Sequence, residues 1–321
     1  MGEVFLSIRG RVSLNVEALN MTESIGNYVK HRRVPVMLPE ESGYSIFYVP
    51  AISGESIAHG FQEVLAEISI AHSLPVCSLC SKGIFLKSTN NNVFKSAFNT
   101  NGVPGDNYEL EKTVIERCVV EDIGGFLFAE GGRSVKRTSN FYTGYMIPVA
   151  ESLRAVVIEP QLHSRYALGT PFVKERGQMI YYVELSSATY TFSFDVDTKY
   201  VGKTTYVYEH VGETVASNRK IRLGIFLDAL QRFILEFAFG AKKTRFMPVM
   251  DWESIVLAVS DDVWTVPGSF SRNYIEKCRS KMANVSYNTS LYVYDGSGSF
   301  EEVVINAIND ARRRLELLEG R

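Results

Sequence analysis

The stretch ISGESIAHGFQEVL, from Ile52 to Leu65, contains the first clear helix signal of the chain. Ser53 stands where a helix N-cap is expected, because its hydroxyl can accept a hydrogen bond from a free amide of the first turn. The apolar residues that follow have the spacing of one helix face and comprise Ile57, Phe61, Val64, Leu65 and Ile68. His59 lies nearly opposite that stripe. The pattern predicts a helix from Ser53 to about His72, ended by Pro75.

The segments around this helix predict a βαββαβ core. The alternating segment Val4 to Glu17 precedes the helix, and two segments rich in β-branched and aromatic residues, 154–167 and 178–197, follow it as strands. A second helix is predicted from about Ser217 to Phe239, and a last core strand from Trp252 to Ser260. This is the order of the ferredoxin-like, or RNA recognition motif-like, fold, so we expect an α+β protein with large insertions.

The predicted core is interrupted twice and extended at its C-terminal end. The core comprises residues 1–19, 51–76 and 148–265, the first insertion is 20–50, the second insertion is 77–147 and the C-terminal extension is 266–321. The second insertion contains the asparagine-rich segment Ser88 to Tyr108, which we expect to be a mobile loop. The extension ends in a predicted amphipathic helix from Phe300 to Glu319.

Composition excludes several classes of protein. With 45% hydrophobic residues in 321, the chain can build a substantial core and is not disordered. It has no run of about 18 apolar residues and its start lacks the pattern of a signal peptide, so we expect a cytoplasmic protein that does not contact membranes. The net charge of -2 gives no overall sign of a polyanionic partner, which would have to be held by local patches.

The four cysteines are too few for a disulfide scaffold in a chain of this size. Cys77 and Cys80 form one C-x-x-C, but the other candidate ligands, Cys118, Cys278 and His72, show no second paired spacing. A structural zinc site needs four ligands. We therefore expect ordinary core or loop cysteines, and predict neither a metal nor a cofactor.

Basic residues form three short patches that contain no acidic residue. Taken alone, each patch is best explained as a solvated surface turn. Together they suggest a polyanion held by several loops. The patches are Lys30, Arg32 and Arg33; Arg133, Lys136 and Arg137; and Lys242, Lys243 and Arg245.

Six separated strings resemble, in order and spacing, the repeating backbone subunit of archaeal type I-A CRISPR interference (Cascade) complexes, in the DevR family of CRISPR-associated proteins. They are ESIGNYVKHRRVPV, ISGESIAHGFQ, DIGGFLFAEGGRSVKRTSNFYTGYMIP, QLHSRYA, SSATYTFSFD and GAKKTRFMP. The resemblance runs from near the N-terminus to about residue 260. It implies a crescent-shaped, non-catalytic subunit whose copies polymerise along a CRISPR RNA. The guide bases then pair with target DNA, alongside other Cascade subunits.

The resemblance also implies roles for individual residues. The start of the first helix offers free amides and a positive dipole end, which suit an RNA phosphate. Alternation along QLHSRYA places His163 and Arg165 on one polar strand face. GGRSVKRTS is the candidate for a thumb that inserts between guide bases. The predicted RNA-binding residues are Asn27, Lys30, His31, Arg32, Arg33, Ser53, Gly54, Ser56, His59, Arg133, Lys136, Arg137, His163, Arg165, Lys242, Lys243 and Arg245.

Two other classes of function stay open at this point. A metal-independent CRISPR RNA endonuclease could use His59 or His163 as general acid or base, although the sequence contains no compact histidine-lysine motif. A DNA-binding autoregulator is the other alternative. The near-neutral charge and the lack of a helix-turn-helix pattern argue against it.

Overall fold

A computed structural model describes residues 2–167 and 177–317, without the side chains of residues 165–167 and 177–179. Its strands are β1 (Phe5–Glu17), β2 (Met21–Ile25), β3 (Tyr28–His31), β4 (Arg33–Glu40), β5 (Gly43–Pro50), β6 (Leu127–Glu130), β7 (Arg133–Lys136), β8 (Phe141–Thr143), β9 (Val157–Ala167), β10 (Gly177–Asp197), β11 (Val249–Ser260) and β12 (Ser290–Tyr294). Its helices are α1 (Gly54–Ala71), α2 (Asn91–Phe98), α3 (Asn107–Arg117), α4 (Val119–Gly124), α5 (Arg219–Glu236), α6 (Tyr274–Asn284) and α7 (Phe300–Arg314). Among the described helices, none combines the length and the apolar content needed to cross a bilayer.

The large sheet has the strand order β12-β11-β1-β10-β3-β2. Two more strands, β8 and β9, pair with β10 outside this order, along the edge that faces away from β1. Strand β1 is antiparallel to both neighbours, with Phe5 opposite Asp197 on β10 and Ser260 on β11. Strand β9 is antiparallel to β10, whereas β3 is parallel to it, so the sheet is mixed. The predicted strands and helices of the core occur in the predicted chain order, and the α+β class is confirmed.

Strand β9 pairs with only one end of the long strand β10. It pairs with residues 177–187 of β10, while β8 takes the same edge of β10 at residues 194–196. Val157 and Leu162 on β9 are 57% and 58% exposed, as is typical of a strand outside a packed layer. Together, β9 and the first half of β10 extend the sheet beyond the hydrophobic core.

Helices α1 and α5 cover one face of the sheet. Ser53 is the N-cap of α1, as predicted, and its hydroxyl accepts a hydrogen bond from the Ser56 amide at 3.3 Å. Phe61 is fully buried, and its ring lies 4.8 Å from Phe141 and 5.1 Å from Phe194 on the sheet. A full burial of this kind contributes about 1.5–3 kcal/mol per large side chain. The apolar stripe predicted from Ser53 onward therefore fixes α1 to the sheet.

The C-terminal extension covers part of the opposite face. On β1 this face carries polar side chains, among them Arg11, which is 2% exposed. Its guanidinium pairs with Glu151 at 2.6 Å and Glu253 at 3.1 Å, and its Nε donates to the Ser269 carbonyl at 3.0 Å. Trp264 packs below the neighbouring strand β11 in a second buried cluster. This part of the sheet is thus occupied by the chain itself and cannot stack on bases.

The sequence predicted a mobile loop for the asparagine-rich segment, and the structure shows that this prediction was wrong. Residues 91–98 form helix α2, whose first turn is capped by Asn90: its Oδ1 accepts a hydrogen bond from the Val93 amide at 2.9 Å. Asn99 ends the helix in the left-handed conformation. Phe94 and Phe98 are buried, with ring centroids 4.7 Å apart. The asparagines therefore cap a short helix, a role that Asn performs well at both ends.

Arg137 lies in the interior, which corrects the prediction that it binds RNA phosphates. Its guanidinium pairs with Asp122 at 2.6 Å and Glu111 at 3.2 Å. The remaining N–H groups donate to the carbonyls of Asp122, Tyr200 and Lys203. All five guanidinium donors are therefore used within the protein.

Arg133 is similarly held by its own domain. It donates to the Asn107 side chain at 2.7 Å and to two backbone carbonyls, and its guanidinium lies over the Phe128 ring. Lys136, in contrast, is exposed. Of the three cations assigned to the thumb, two stabilise the β6–β7 hairpin and one is available to solvent.

We expect adjacent residues 136 and 137 to differ sharply in their effect on stability. Arg137→Ala should lower the free energy of unfolding by about 3–5 kcal/mol, because the carboxylates of Asp122 and Glu111 would stay buried without the guanidinium that pairs with them. Lys136→Ala should change it by less than about 0.5 kcal/mol. Urea denaturation followed by circular dichroism measures both, and equal effects would contradict the buried position of Arg137.

Candidate nucleic-acid interface

A short link after β1, Leu19 and Asn20, joins three of the predicted segments. The side-chain oxygen of Asn20 accepts hydrogen bonds from the Ser53 amide at 2.8 Å and from Arg32 Nε at 3.0 Å. The Leu19 carbonyl accepts the Ala241 amide at 3.2 Å and is 3.5 Å from the Ser56 hydroxyl. The first basic patch, the start of α1 and the third basic patch therefore meet at this link.

The junction forms a cleft of about 470 Å³. Its cationic lining comes from different loops, while Asn20 and Gly240 shape its floor and Glu55 and Glu63 stand at its edge. The structure thus brings together residues that are up to about 200 positions apart in sequence. The predicted residues that line this cleft are Arg32, Ser53, Ser56, His59 and Lys243.

Two of these side chains share one carboxylate. His59 Nε2 lies 3.4 Å from Glu63 Oε1, and Lys243 Nζ lies 3.5 Å from Glu63 Oε2. The His59 and Lys243 side chains are 52% and 40% exposed, so these pairs are surface pairs that contribute little to stability. A phosphate entering the cleft could therefore replace the carboxylate as partner of either side chain.

Glycines bring the backbones close together here. A Cβ at Gly54 would lie 3.0 Å from the Thr143 carbonyl oxygen, so this glycine lets the start of α1 approach the end of β8. Its predicted role in RNA binding stays a prediction. Gly240 has φ +98°, and a Cβ there would lie 2.8 Å from the Leu19 carbonyl oxygen. Gly240 is thus required to seat the third patch against the link.

Several other clefts share lining residues with this one or with each other, and three of them contain further predicted residues. A cleft of about 650 Å³ contains Lys30 and Arg33 and shares Arg32 with the first cleft. On the other side, a cleft of about 420 Å³ shares Glu55. It in turn shares Ser139 and Tyr142 with a cleft of about 480 Å³ that contains Lys136. We call this line of clefts, from Arg33 to Lys136, the groove.

His31 lines the cleft of about 650 Å³ but its side chain is buried, which corrects the prediction that it binds RNA. It is 2% exposed, and its Nε2 lies 2.5 Å from Glu17 Oε1. Its Nδ1 donates to the Arg32 carbonyl at 2.9 Å. Glu17 also accepts hydrogen bonds from Ser186 and Tyr190. Since both ring nitrogens face acceptors, the geometry favours a doubly protonated, charged imidazole in a buried ion pair.

The pKa values of this pair shift in opposite directions. Burial alone would raise the pKa of Glu17, but the His31 ring outweighs it and lowers that pKa below its usual value. Burial alone would lower the pKa of His31, but the hydrogen bond and charge of Glu17 outweigh it and raise that pKa. The pair thus anchors the first insertion to the end of β1.

The other residues of the first patch are tied to neighbours at the surface. Arg33 Nη2 lies 2.9 Å from Glu184, with half of its side chain exposed. Lys30 lies 3.6 Å from Glu23. Asn27 is exposed, and its side-chain amide donates to the Ile180 carbonyl. These contacts position the patch along the groove and leave its cations in reach of solvent.

His163 is held between aromatic rings and lies apart from the residues of the groove. Its ring stacks on Tyr181 at 5.3 Å and meets Phe246, from the third basic loop, at 5.2 Å. Its Nε2 is buried and has no hydrogen-bond partner among the described residues. The side chain of Arg165 lies outside the described residues. His163 thus fastens the third basic loop to β9.

The third basic loop has cations beyond Lys243. Arg245 is exposed and bonds only to the neighbouring Thr244 carbonyl among the contacts described. Lys242 is partly exposed. Neither lines the clefts that form the groove.

Sequence reasoning missed several residues of the groove. Asn20 gave no signal, because its role depends on two partners that reach it only after folding. Tyr142 lines two clefts and is 44% exposed, yet a tyrosine in a strand is normally a packing residue. Its place between the small, polar Ser139 and Gly144 is the only signal that could have indicated an open surface.

Comparisons with known proteins agree on one family. The family model for the CRISPR-associated negative auto-regulator DevR/Csa2 matches residues 8–279. The CRISPR-associated protein Cas7/Csa2 1 of Saccharolobus solfataricus is 36% identical over 271 residues, which is 83% of this chain and 82% of the relative. The CRISPR-associated aCascade subunit Cas7/Csa2 2 of the same organism is 37% identical, over 83% of each chain.

Two solved structures are also similar. Both are chains of CRISPR RNA-guided surveillance complexes, one of them described as pre-nicking. They are 10% and 9% identical to this chain, with TM-scores of 0.48 and 0.49, and the alignments cover 96% of this chain and 99% of each of theirs.

The buried pair predicts a pH-dependent cost of replacing His31. His31→Gln should lower the free energy of unfolding by about 3–5 kcal/mol at mildly acidic pH. The stabilisation is complete between the unfolded pKa values of 4.5 and 6.5, and it is lost as pH rises through the raised pKa of His31 or falls through the lowered pKa of Glu17. Urea denaturation of both proteins should be measured between pH 4.5 and 6.5 and again in alkaline buffer. The difference in free energy of unfolding between wild type and variant should be smaller in the alkaline buffer. The exposed His59→Gln serves as control, and a pH-independent cost would contradict the ion pair.

Proposed function

The chain belongs to the CRISPR-associated DevR/Csa2 family, and we propose that it is a CRISPR RNA-binding backbone subunit of a type I-A Cascade interference complex. One of its relatives is named an aCascade subunit. In the proposed role the chain grips the guide by its backbone and leaves the bases free to pair with target DNA, next to other Cascade subunits.

The groove is the observation that carries this proposal. It places cations from three loops along one path: Arg33, Lys30 and Arg32, then Lys243, then Lys136. A single-stranded nucleic acid needs a cationic path of this kind, with aromatic rings on which bases can stack. Tyr142 lies on the path with an exposed ring.

Two features of the fold support binding in the groove in preference to binding on the sheet. The polar face of β1 is covered by the C-terminal extension, through contacts such as Arg11 with the Ser269 carbonyl. The antiparallel strand order β11-β1-β10-β9 supports a ferredoxin-like core. On this core, the groove follows the insertions and the start of α1.

The β4–β5 hairpin supports repeated copies along the guide. Its outer face has three directly opposed apolar pairs, Pro35 with Tyr48, Met37 with Ile46 and Pro39 with Tyr44. Met37, Tyr44, Ile46 and Tyr48 are 59–74% exposed. Contiguous exposed apolar surface of this kind marks interaction sites. We assign it to the neighbouring copy on the RNA, because the hairpin continues directly from Arg33, at the end of the groove.

The proposal includes no catalysis. The buried Nε2 of His163 is poorly placed to exchange a proton with a substrate, and His59 has Glu63 and Lys243 beside it but no second histidine in its cleft. Incubation with labelled CRISPR RNA separates the alternatives. Metal-independent cleavage would favour an endonuclease, preference for promoter duplex DNA would favour an autoregulator, and protection with stepwise shifts supports the backbone subunit.

Removing groove cations should weaken RNA binding without a sequence preference. The triple variant Arg32→Ala, Lys136→Ala, Lys243→Ala should reduce the slope of log affinity against log salt by about 2, at about 0.7 per phosphate on a single strand. Filter binding at several salt concentrations measures the slope. Lys277→Ala, on α6 outside the groove, removes a similar charge and should leave the slope unchanged. An unchanged slope in the triple variant would remove the groove assignment.

The apolar hairpin should be needed for neighbouring copies but not for the first. Ile46→Ser with Tyr48→Ser should leave binding of a short RNA that holds one copy unchanged and abolish the ladder of stepwise shifts on a long RNA, because only the contact between copies is lost. Native gel shifts with both RNAs measure this. Ile221→Ser, an exposed apolar position on α5, is the control. An intact ladder in the double variant would place the interface elsewhere.

A further inference from the structure

Three cysteines from separate parts of the second insertion converge in the interior. Cys77 and Cys80 follow α1, and Cys118 lies between α3 and α4. Their sulfur atoms all lie within 4.8 Å of one another, and all three residues are buried. The C-x-x-C alone indicated no site, because its third member reaches it only through the packing of α4 against α1.

The backbone around these sulfurs is arranged as it would be around thiolates. The Cys80 amide donates to Cys77 Sγ at 3.4 Å, and the Cys77 amide donates to Cys118 Sγ at 3.4 Å. Amide donors directed at sulfur stabilise negative charge on it.

Glu121 supplies a carboxylate beside the Cys80 sulfur. The side chain is fully buried, and its Oε1 accepts hydrogen bonds from Cys80 Sγ at 2.8 Å and the Leu86 amide at 2.9 Å. Its Oε2 is buried with no partner among the described residues. A buried oxygen without a partner is costly.

We propose that Cys77, Cys80, Cys118 and Glu121 form a structural zinc site. Thiolate and carboxylate ligands in a closed tetrahedral set suit Zn²⁺, and Zn–S bonds of about 2.3 Å separate tetrahedral sulfurs by about 3.8 Å, within the spread seen here. Soft thiolate ligands disfavour Mg²⁺ and Ca²⁺. On binding, each of the three thiols forms a bond to the metal and releases its proton to solvent.

The site would fix the base of the second insertion to the core. Cys118 is the N-cap of α4, and the Val119 amide beside it donates to the Pro75 carbonyl at 2.9 Å. Helix α4 leads into Gly124, which lines the groove, and carries Asp122, the partner of Arg137. Zinc at this point would hold α1 and α4 together and so keep that wall of the groove in place. The inference is independent of the proposed function.

The test is the metal content of the purified full-length chain. The protein is expressed with added zinc and dialysed, and its metal content is measured by elemental mass spectrometry. We expect about one zinc per chain in the wild type. The control Cys278→Ser removes a buried cysteine from another cluster and should give the same result. Cys77→Ser with Cys80→Ser should lose the metal. Glu121→Gln should keep the fold and release zinc to a chelator faster than the wild type.

A second measurement does not depend on the folding of any variant. A mercurial reagent added stepwise to the wild type should release zinc to a colorimetric indicator in proportion to the thiols modified. The proposal would be overturned if the wild-type protein contained no zinc and bound none when zinc was added. It would also be overturned if a thiol count showed a disulfide among the three cysteines. Zinc retained unchanged in the double cysteine variant would overturn it as well.

Discussion

The groove depends on the polar atoms of one two-residue link. Leu19 and Asn20 leave the end of β1 and accept hydrogen bonds from the start of α1, from the first basic patch and from the third basic loop. Because β1 is the central strand and α1 is fixed by Phe61, the link has a fixed position in the core. The cations that converge on it are therefore placed by the core and need no ordering of their own on binding. Such preorganisation lowers the entropic cost of gripping a flexible strand.

Charged residues serve two distinct purposes in this chain. Asp122 holds both Arg137 and Arg222 in the interior, at 2.6 Å and 2.8 Å, and Glu17 holds His31. These buried pairs join the insertions to the core and specify how they dock, at the expense of desolvation. In the groove, in contrast, Lys30 and Lys243 have the exposed carboxylates of Glu23 and Glu63 as partners, and Arg33 has half of its side chain exposed beside the buried Glu184. Insertions of this kind need both the buried pairs and the exposed cations. A basic loop can hold a phosphate in a defined place only if buried contacts fix the loop to the core.

Local sequence signals predicted the helices and strands of the core. They failed where contacts with residues distant in sequence determine whether a side chain is buried or exposed. Ser53 and the stripe that follows it identified α1, since an N-cap and a helical period are local properties. Arg137 and Lys136 look alike in GGRSVKRTS, and only the distant Asp122 and Glu111 determine which of them is buried. Likewise, the asparagines near Asn90 suggested a loop because caps and loops favour the same residues. The convergence of the basic patches followed from the resemblance, while the link that causes it had no signal.

Arg11 joins β1 to segments 140 to 259 residues further along the chain. This buried guanidinium on β1 has its partners at Glu151, Glu253 and the Ser269 and Phe270 carbonyls, and β1 itself pairs only with β10 and β11. Strand β1 thus cannot complete its hydrogen bonds until β10 and β11 have been synthesised. Contacts so remote in sequence make folding slow and leave an unpaired strand with one apolar face open to aggregation. This topology therefore favours a mechanism that keeps β1 from self-association while the rest of the chain is synthesised.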